Sequence, residues 1–412
     1  MYAQLVDEST RDHGPNAEET TLYRLGHDRT IGEAGRHADA ARLFQRLIAD
    51  SAAALPPGHP YWFSARIRHA FYTGLAGDPQ RAIELFDDLL GELRAALGAE
   101  HTFTLNSRFD HALFIGEAGR PARAAGLFAN LVADRTRLQG RYARYTLNNR
   151  RHHAHFLGES GQAAQAAELF RLLTADCLAV FGPTHPDALA SRYGQARFVG
   201  EAGDPRLAAT LLKQLLDDES HLHVYGPDNP ITLLHRRHYA RFVGEAGDPQ
   251  QAVRLLRTLE ADAKGLLGPR HPELYATRIG LARFTGIAGR VEQAVKMYER
   301  LVAECGRYLS EDHQLTLAAR NGHARFLGNS GQFAQAAELF ELIYIDRIRV
   351  LGNSHPCTHN SRNGHAYFVG LAGEPARAAR LLQTVLADRE RLFGADHPWT
   401  RRTRSELGRF TE

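Results

Sequence analysis

The sequence predicts an all-α solenoid, a stack of about nine antiparallel helix pairs. One arginine recurs at a step of 42 residues, with a single step of 44 between Arg192 and Arg236. A Gly-x-(Ala/Ser)-Gly motif recurs with the same spacing. Apolar residues three and four positions apart flank each motif on both sides, which is the period of amphipathic helices. A strict period of this length indicates stacked copies of one supersecondary unit rather than a single core.

Each copy is predicted to contain a first helix, a tight turn and a second helix. The first helix carries the pattern Thr-Leu-x-x-Arg-x-x-His-Ala-x-Phe, as in Thr104–Phe114. The second glycine of the motif that follows suits a helix C-terminus, where a positive φ is needed. Asp204-Pro205 and its equivalents suit an N-cap and a first-turn proline for the second helix. His185-Pro186 and its equivalents introduce the next copy.

The period assigns the whole chain to one repeat array. The predicted divisions are a half-repeat at 1–16, repeats near 17–58, 59–100, 101–142, 143–184, 185–228, 229–270, 271–312, 313–354 and 355–396, and a capping helix at 397–412. Tyr2, Leu5 and Val6 align with apolar residues of second helices, so the first segment lacks its partner helix. Two interpretations stay open: a fragment of a longer protein, or self-association through this half-repeat.

Composition excludes several classes of function. The net charge of +3 gives no bulk attraction to nucleic acid or membrane, so we expect neither as a partner. The three cysteines share no metal spacing and predict reduced thiols in a cytoplasmic protein. No secretory signal is visible at the start, and no stretch approaches eighteen apolar residues, so no membrane span is expected.

The spacing of small residue, glycine, alanine and large residue resembles the tetratricopeptide repeat. The 42-residue step with Gly-Pro-x-His-Pro, as in Gly182–Pro186, resembles the long variant found in kinesin light chain and in actinobacterial signalling proteins. The resemblance implies a right-handed superhelix that binds a peptide or protein along its concave side. The chain departs from the common pattern because arginine replaces an aromatic residue near the start of the first helix.

The recurring arginine is interpreted as a structural residue. An acid lies 16 or 18 residues before each copy, late in the preceding second helix, so we expect each pair to tie one repeat to the next. The predicted inter-repeat pairs are Asp50 with Arg66, Glu92 with Arg108, Asp134 with Arg150, Asp176 with Arg192, Asp218 with Arg236, and Asp262 with Arg278. The alternative is a ladder of arginines that holds an anionic ligand, which does not explain the accompanying acids.

The candidate binding residues are those that differ between copies on the first helices. The resemblance implies that these helices line a groove. The predicted groove residues are Ile67, Phe71, Phe109, Leu113, Arg151, His155, Tyr193, Arg197, Arg237, Arg241, Arg283 and Arg325. They change from apolar to basic along the chain, which favours a peptide with apolar and acidic or phosphorylated residues. Glutamates one turn later accompany Arg197 and Arg241, whereas Arg283 and Arg325 lack one and are expected to be the least compensated. The alternative is a solvated Arg–Glu lattice without a ligand.

No pattern predicts catalysis. The chain lacks a phosphate-binding loop, a nucleophile elbow and zinc-ligand spacing, so we expect no enzyme, no cofactor and no metal. Two other functions stay open. A nucleic-acid-binding module is suggested by Arg141, Tyr142, Arg144 and Tyr145, and a small-molecule enzyme or sensor would use the superhelix interior. An enclosed pocket would favour the latter and an open trough would disfavour it.

Overall fold

The computed structural model describes residues 2–52, 55–56, 58–353, 355–395 and 397–411. Across these residues the chain forms twenty-one α-helices and no strand, which confirms the all-α solenoid class. None of the described helices combines the length and the apolar character that a membrane crossing requires.

The helices alternate between first and second members of successive pairs. The first helices are α2 (Glu18–Glu33), α4 (Pro60–Leu75), α6 (Thr102–Glu117), α8 (Arg144–Glu159), α10 (Pro186–Glu201), α13 (Pro230–Glu245), α15 (Pro272–Ile287), α17 (Gln314–Asn329) and α19 (Pro356–Leu371). The second helices are α3 (His37–Ser51), α5 (Pro79–Leu97), α7 (Pro121–Gln139), α9 (Ala163–Phe181), α11 (Pro205–Leu216) with α12 (Glu219–Tyr225), α14 (Pro249–Leu267), α16 (Val291–Tyr308), α18 (Phe333–Leu351) and α20 (Pro375–Phe393). Two helices stand outside the pairs, α1 (Tyr2–His13) and α21 (Pro398–Thr411).

The chain divides into two compact units. Unit 1 comprises residues 1–156 and unit 2 comprises residues 157–412. Within each unit, helices that follow one another in sequence pack side by side. In unit 1 the Tyr2 ring of α1 lies against Gly26 of α2, so this helix packs on the first pair.

The two glycines of each motif have different structural roles. The second glycine ends the first helix at positive φ, for example 111° at Gly203, as the sequence predicts. The first glycine lies inside the helix and receives an aromatic ring from the next first helix. A Cβ atom on Gly200 would lie 2.2 Å from Cε1 of Phe242, so only glycine fits there. The same contact joins Gly32 to Tyr72, Gly74 to Phe114, Gly116 to Phe156, Gly158 to Phe198, Gly244 to Phe284, Gly286 to Phe326, Gly328 to Phe368 and Gly370 to Phe410.

The histidines of the interhelix turns cap the first helices. His185 Nδ1 accepts a hydrogen bond from the backbone N–H of Asp187 at 3.1 Å. Equivalent contacts are made by His59, His101, His271, His313, His355 and His397. An accepting Nδ1 carries no proton, so capping requires the neutral ring in its Nε2–H tautomer. Burial lowers the pKa of His355 to about 4, and the nearby Arg347 guanidinium acts in the same direction.

Eight of the recurring arginines pair with an acid of their own helix pair, and Arg278 also binds Glu260 of the preceding pair at 2.8 Å. Arg192 of α10 donates to Asp218 at 2.8 Å, and Asp218 follows α11 of the same pair. The observed pairs are Arg24 with Asp50, Arg66 with Glu92, Arg108 with Asp134, Arg192 with Asp218, Arg236 with Asp262, Arg278 with Glu304, Arg320 with Asp346, and Arg362 with Asp388.

The predicted inter-repeat assignment is therefore wrong. The six incorrect pairs are Asp50 with Arg66, Glu92 with Arg108, Asp134 with Arg150, Asp176 with Arg192, Asp218 with Arg236, and Asp262 with Arg278. In a strict period each arginine has one acid about 16 residues before it and another 26 residues after it. Both lie near an antiparallel helix end, and the tight turn within a pair brings the later acid into contact.

The two extra residues of the long repeat break its second helix. The sequence predicts a bulged or lengthened helix end near residues 219–224. Instead α11 ends at Leu216 and the short α12 begins at Glu219. Asp218 caps α12 by accepting from the backbone N–H of Ser220 at 2.8 Å while it also accepts from Arg192. Burial raises the pKa of Asp218, but these hydrogen bonds outweigh it and lower the pKa below its usual value.

We predict that Arg66→Met destabilises the protein at neutral pH and not in acid. Arg66 forms two hydrogen bonds with Glu92, at 2.5 and 2.9 Å, which lower the pKa of that carboxyl group. A carboxyl with a depressed folded-state pKa stabilises the fold above its unfolded pKa, and this contribution is lost as pH falls through the folded pKa. Because Glu92 is 46% exposed, we expect a loss of no more than about 1 kcal/mol.

Urea denaturation at neutral and acidic pH measures this difference. Arg46→Met, which alters an exposed arginine of α3, is the matched control and should have little effect at either pH. A deficit of Arg66→Met that persists unchanged after Glu92 is protonated would contradict the electrostatic account.

Candidate functional site

Unit 2 contains a cavity of about 880 Å³ that is partly open to solvent. Its walls come from α10, α13, α15 and α17, together with the first residues of α19 and α21. The turn after α8 closes one side, because a Cβ atom on Gly161 would lie 2.4 Å from Cδ1 of Phe393 at the end of α20. First and last helix pairs of unit 2 thus meet, and the cavity is bounded laterally. Its volume lies in the range of roughly 300–1,000 Å³ that ligand sites occupy.

An alternating row of arginines and glutamates crosses the cavity wall. Arg197 binds Glu201 at 3.0 Å and also contacts Glu159 of the preceding first helix. Arg241 binds Glu245 at 3.1 Å and approaches Glu201 at 3.5 Å. Arg283 binds Glu245 at 2.9 Å. We call this row the Arg–Glu ladder, and it links the first helices α8, α10, α13 and α15.

The ladder corrects one prediction from the sequence. Arg283 was expected to be among the least compensated arginines because no acid follows it one turn later. Glu245 of the neighbouring helix supplies that charge instead, since adjacent first helices lie side by side. Burial alone would lower the pKa of Arg197 and raise that of Glu245, but the charged neighbours outweigh it in both groups. The pKa of Arg197 is raised and that of Glu245 is lowered, so both are charged at neutral pH.

Arg325 continues the row, and within the described part of the chain it forms no ion pair. Among the described residues, none forms an ion pair or hydrogen bond with its guanidinium, which lines the cavity. Burial lowers the pKa of Arg325 to about 10; the neighbouring cations Arg402 and Arg283 act in the same direction, and the charge of Glu406 acts against it. Arg325 therefore keeps its charge at neutral pH without a counterion from its own helix row.

Arg389 adds a second cation that sequence reasoning missed. It lies in α20, is only 1% exposed, and donates to Thr403 Oγ1 at 2.6 Å and to the carbonyl oxygens of Trp399 and His359 at 3.0 and 3.1 Å. Arg135 of α7 and Arg347 of α18 occupy the equivalent slot. The sequence did mark these arginines as unusual, because other copies place small or apolar residues such as Cys177, Ala263 and Cys305 at the same position.

The cavity carries an excess of positive charge. Six arginines and three glutamates line it, so the formal charge of its wall is +3 with the histidines neutral. The cationic excess comes from Arg325, Arg389 and Arg402, the last of which binds Glu406 at 2.7 Å. An acceptor-rich, anionic group therefore fits this part of the wall better than a cation does.

The structure brings together four of the predicted groove residues of unit 2. Arg197, Arg241, Arg283 and Arg325 line the cavity. Arg237 instead binds Glu273 of α15 at 2.6 Å, outside this lining. Tyr193 stacks on His235 with ring centroids 4.3 Å apart, so its ring is part of the packing between first helices.

In unit 1 the predicted apolar residues have mixed environments. Ile67 and Phe109 line a separate cavity of about 280 Å³. Phe71 packs edge-to-face on Phe114, at 5.8 Å between centroids, and Leu113 is half-buried. The remaining two residues are basic: Arg151 donates to Asn148 Oδ1 at 2.9 Å, and His155 lies edge-on to Phe156 at 5.0 Å.

The segment 141–145, which contains the two arginines and two tyrosines noted in the sequence, contributes to packing in unit 1. Tyr142 and Tyr145 are about half exposed, at 52% and 53%. The Tyr145 ring covers the buried Arg135, with 4.8 Å from the guanidinium carbon to the ring centroid.

Within the described part of the chain, no three His, Cys, Asp or Glu side chains are placed to hold a metal ion.

Comparison with known proteins matches two segments of the chain to a known repeat. Residues 316–356 and 366–398 match the family model for the tetratricopeptide repeat. No curated protein matches the chain. A solved Podosopora anserina structure of nearly identical TPR-like repeats, attributed to a kinesin light chain, is 28% identical, covers 49% of this chain and 95% of that chain, and has a TM-score of 0.40.

Two further solved structures extend the comparison. The Rap protein complexed with Competence and Sporulation Factor is 12% identical, covers 91% of this chain and 99% of that chain, and has a TM-score of 0.61. A tetratricopeptide repeat protein from Parabacteroides merdae is 13% identical, covers 75% and 99% of the two chains, and has a TM-score of 0.47. Residues 316–356 and 366–398 are therefore similar to tetratricopeptide repeats, and the chain shares the fold of the Rap protein. The presence of such repeats favours a scaffold for protein interactions.

We predict that Glu245→Gln lowers the free energy of unfolding by about 1–2 kcal/mol. The substitution removes the charge that binds both Arg241 and Arg283. Removing one partner of a fully buried pair costs roughly 3–5 kcal/mol, but Arg283 is 43% exposed and water replaces part of the interaction. Urea denaturation measures the change.

Glu292→Gln is the matched control, because this glutamate is exposed on α16. Equal stability of the two variants would show that the Arg–Glu ladder does not stabilise unit 2.

Proposed function

We propose that this protein is a non-catalytic scaffold or regulatory sensor that holds a polypeptide segment in the cavity of unit 2. The segment carries an acidic or phosphorylated residue that lies beside Arg325. For the first helices of unit 1 the proposal is a preference for apolar groups, because Ile67, Phe71, Phe109 and Leu113 lie on them. The proposal also includes the division of the whole chain into one repeat array. It further includes a cytoplasmic, bacterial signalling role, because the family resemblance implies both.

The unpaired guanidinium of Arg325 carries the proposal. A cation that is removed from bulk water without a counterion loses hydration, and an incoming anion restores a charged partner. Arg402 and Arg389 lie in the same wall and add to the attraction. Arginine binds carboxylates and phosphates through two parallel N–H donors, which gives orientation as well as affinity.

Two further observations support a bound polypeptide. The family of the repeats is one of protein-interaction modules, which agrees with a cavity lined by first helices. The Rap structure, which shares the fold, was solved in complex with Competence and Sporulation Factor. For this chain the Rap complex supports only the binding of a partner, and the place of that partner in the unit 2 cavity is our proposal.

The Arg–Glu ladder argues against a nucleic-acid ligand in this cavity. Binding a phosphate backbone requires several cations that are free to replace condensed counterions. Arg197, Arg241 and Arg283 are each paired with a glutamate. The enclosed volume favours a small anionic molecule as the second candidate, and competition between such a molecule and the polypeptide distinguishes the two.

We predict that Arg325→Glu abolishes capture of the partner. Pull-downs from the source cell with the wild-type protein should retain a defined protein that the variant loses, because the reversed charge repels the acidic segment. Calorimetry with that partner should show affinity at least about tenfold weaker, which corresponds to 1.4 kcal/mol.

Arg300→Glu supplies the matched control, since it makes the same charge change at an exposed position of α16. The control should bind as the wild type does. Unchanged binding by Arg325→Glu, with the fold intact by circular dichroism, would refute the proposed site.

A further inference from the structure

The cavity in unit 1 contains an acid that the repeat scaffold does not need. Asp110 of α6 lines it. Five other first helices place a glycine at this slot: Gly26, Gly194, Gly280, Gly322 and Gly364. At Gly194 and Gly322 an added Cβ atom would lie within 2.4 Å of an aromatic ring of the preceding second helix. The other three first helices carry Arg68, His152 and His238 at this slot, so among the first helices Asp110 is the one acid there.

Two arginines fix the orientation of the asparagines in the cavity wall. A guanidinium group only donates hydrogen bonds, so it must face the oxygen of an amide. Arg135 Nη2 donates to Asn106 Oδ1 at 2.8 Å, and Arg151 Nη2 donates to Asn148 Oδ1 at 2.9 Å. The amide nitrogen of each asparagine remains as a donor for a ligand.

A third asparagine provides a buried donor without a partner. Asn149 of α8 lines the cavity and is only 2% exposed. Its amide nitrogen makes no hydrogen bond to any described residue. An unsatisfied buried donor costs free energy unless a ligand or water accepts from it. The polar side of the cavity is therefore rich in donors and calls for acceptors.

The opposite side of the cavity is apolar. Ile67, Phe103, Phe109 and Tyr145 form this wall. The volume of about 280 Å³ lies at the small end of ligand cavities, so it accommodates one side-chain-sized group rather than a peptide segment.

The charged groups that line the cavity come from three helices. Arg68 belongs to α4, Asp110 to α6 and Arg135 to α7, while α8 contributes the phenol of Tyr145 and none of the lining residues belongs to α5. Burial raises the pKa of Asp110 to about 7, and the positive charge of Arg68 opposes this shift. Near neutral pH the group is easily protonated, and it can then donate a hydrogen bond.

We propose that this cavity binds the carboxylate of an apolar acid, held by the asparagine amides and Arg68, with Asp110 as a protonated donor. The apolar wall holds the body of the ligand, an aromatic or branched hydrocarbon group. Two sources share this chemistry: a free monocarboxylic acid and the C-terminal residue of a polypeptide. The site is independent of the unit 2 cavity and does not rest on its proposed function.

Binding of a carboxylate should depend on pH with a defined sign. An anionic ligand next to Asp110 favours the protonated acid, so affinity falls as pH rises through the pKa of that group. If only the protonated form binds, affinity at pH 6 is about tenfold higher than at pH 8.

Calorimetry on the full-length protein tests the proposal. We expect millimolar or tighter binding of 3-phenylpropionate and none of its neutral amide. A dipeptide that ends in phenylalanine and its C-terminally amidated form make the second arm. Binding of the free acid alone assigns a small-molecule site, and tighter binding of the free dipeptide assigns a polypeptide C-terminus. Failure of both carboxylates to bind, or equal binding of the neutral amides, would overturn the proposal.

Asp110→Asn separates this role from a merely structural one. Asparagine has the shape of the protonated acid and donates at every pH, so the variant should bind 3-phenylpropionate without the tenfold pH dependence. Asp88→Asn, an exposed acid of α5, is the matched control and should keep that dependence. Retention of the wild-type pH profile by Asp110→Asn would also overturn the proposal.

Discussion

The contact between an aromatic ring and a helical glycine is the constraint on which the rest of the structure depends. In eight places a ring from one first helix occupies the space that a side chain would fill on the preceding first helix, and Phe410 of α21 makes the same contact with Gly370. The rings are buried, for example Phe242 and Phe284 at 0% and 1% exposed. Because glycine has no Cβ atom, adjacent first helices approach closely and at a fixed height. This contact explains why the glycine and the aromatic residue recur with the same period.

The charged side chains form contacts between helices whose spacing the glycine–aromatic contacts already set. Arginine–acid pairs fasten the two helices of one pair, and the Arg–Glu ladder joins first helices of neighbouring pairs. Most members are between one-fifth and one-half exposed, as for Arg66 and Glu92 at 20% and 46%, so each pair contributes little net stability. The glutamates of the Arg–Glu ladder neutralise half of the cationic charge that lines the cavity of unit 2. Arg325 lies where the ladder stops, which concentrates the unpaired charge at one place.

The sequence determined the fold because its period, its turn glycines and its helix caps all indicate the same unit. It did not determine which acid each arginine contacts, because Asp176 and Asp218 both lie near an antiparallel helix end beside Arg192. The pairing of Arg283 with Glu245 also escaped prediction, since the two residues are far apart in sequence and adjacent only after the helices stack. Asp110 was overlooked because an acid on a helix normally faces solvent, and only alignment with the glycines of other copies marks it as unusual.

The effect of alanine on two helical glycines of unit 1 tests the central constraint most directly. A Cβ atom added to Gly116 would lie 2.1 Å from the Phe156 ring. A Cβ atom added to Gly126 in α7 would have no neighbouring atom within 4 Å. Gly126→Ala should raise the free energy of unfolding by up to about 1 kcal/mol, because alanine favours the helix. Gly116→Ala should lower it by about 1–3 kcal/mol, because the buried ring must move. Stabilisation by both substitutions in urea denaturation would contradict the account.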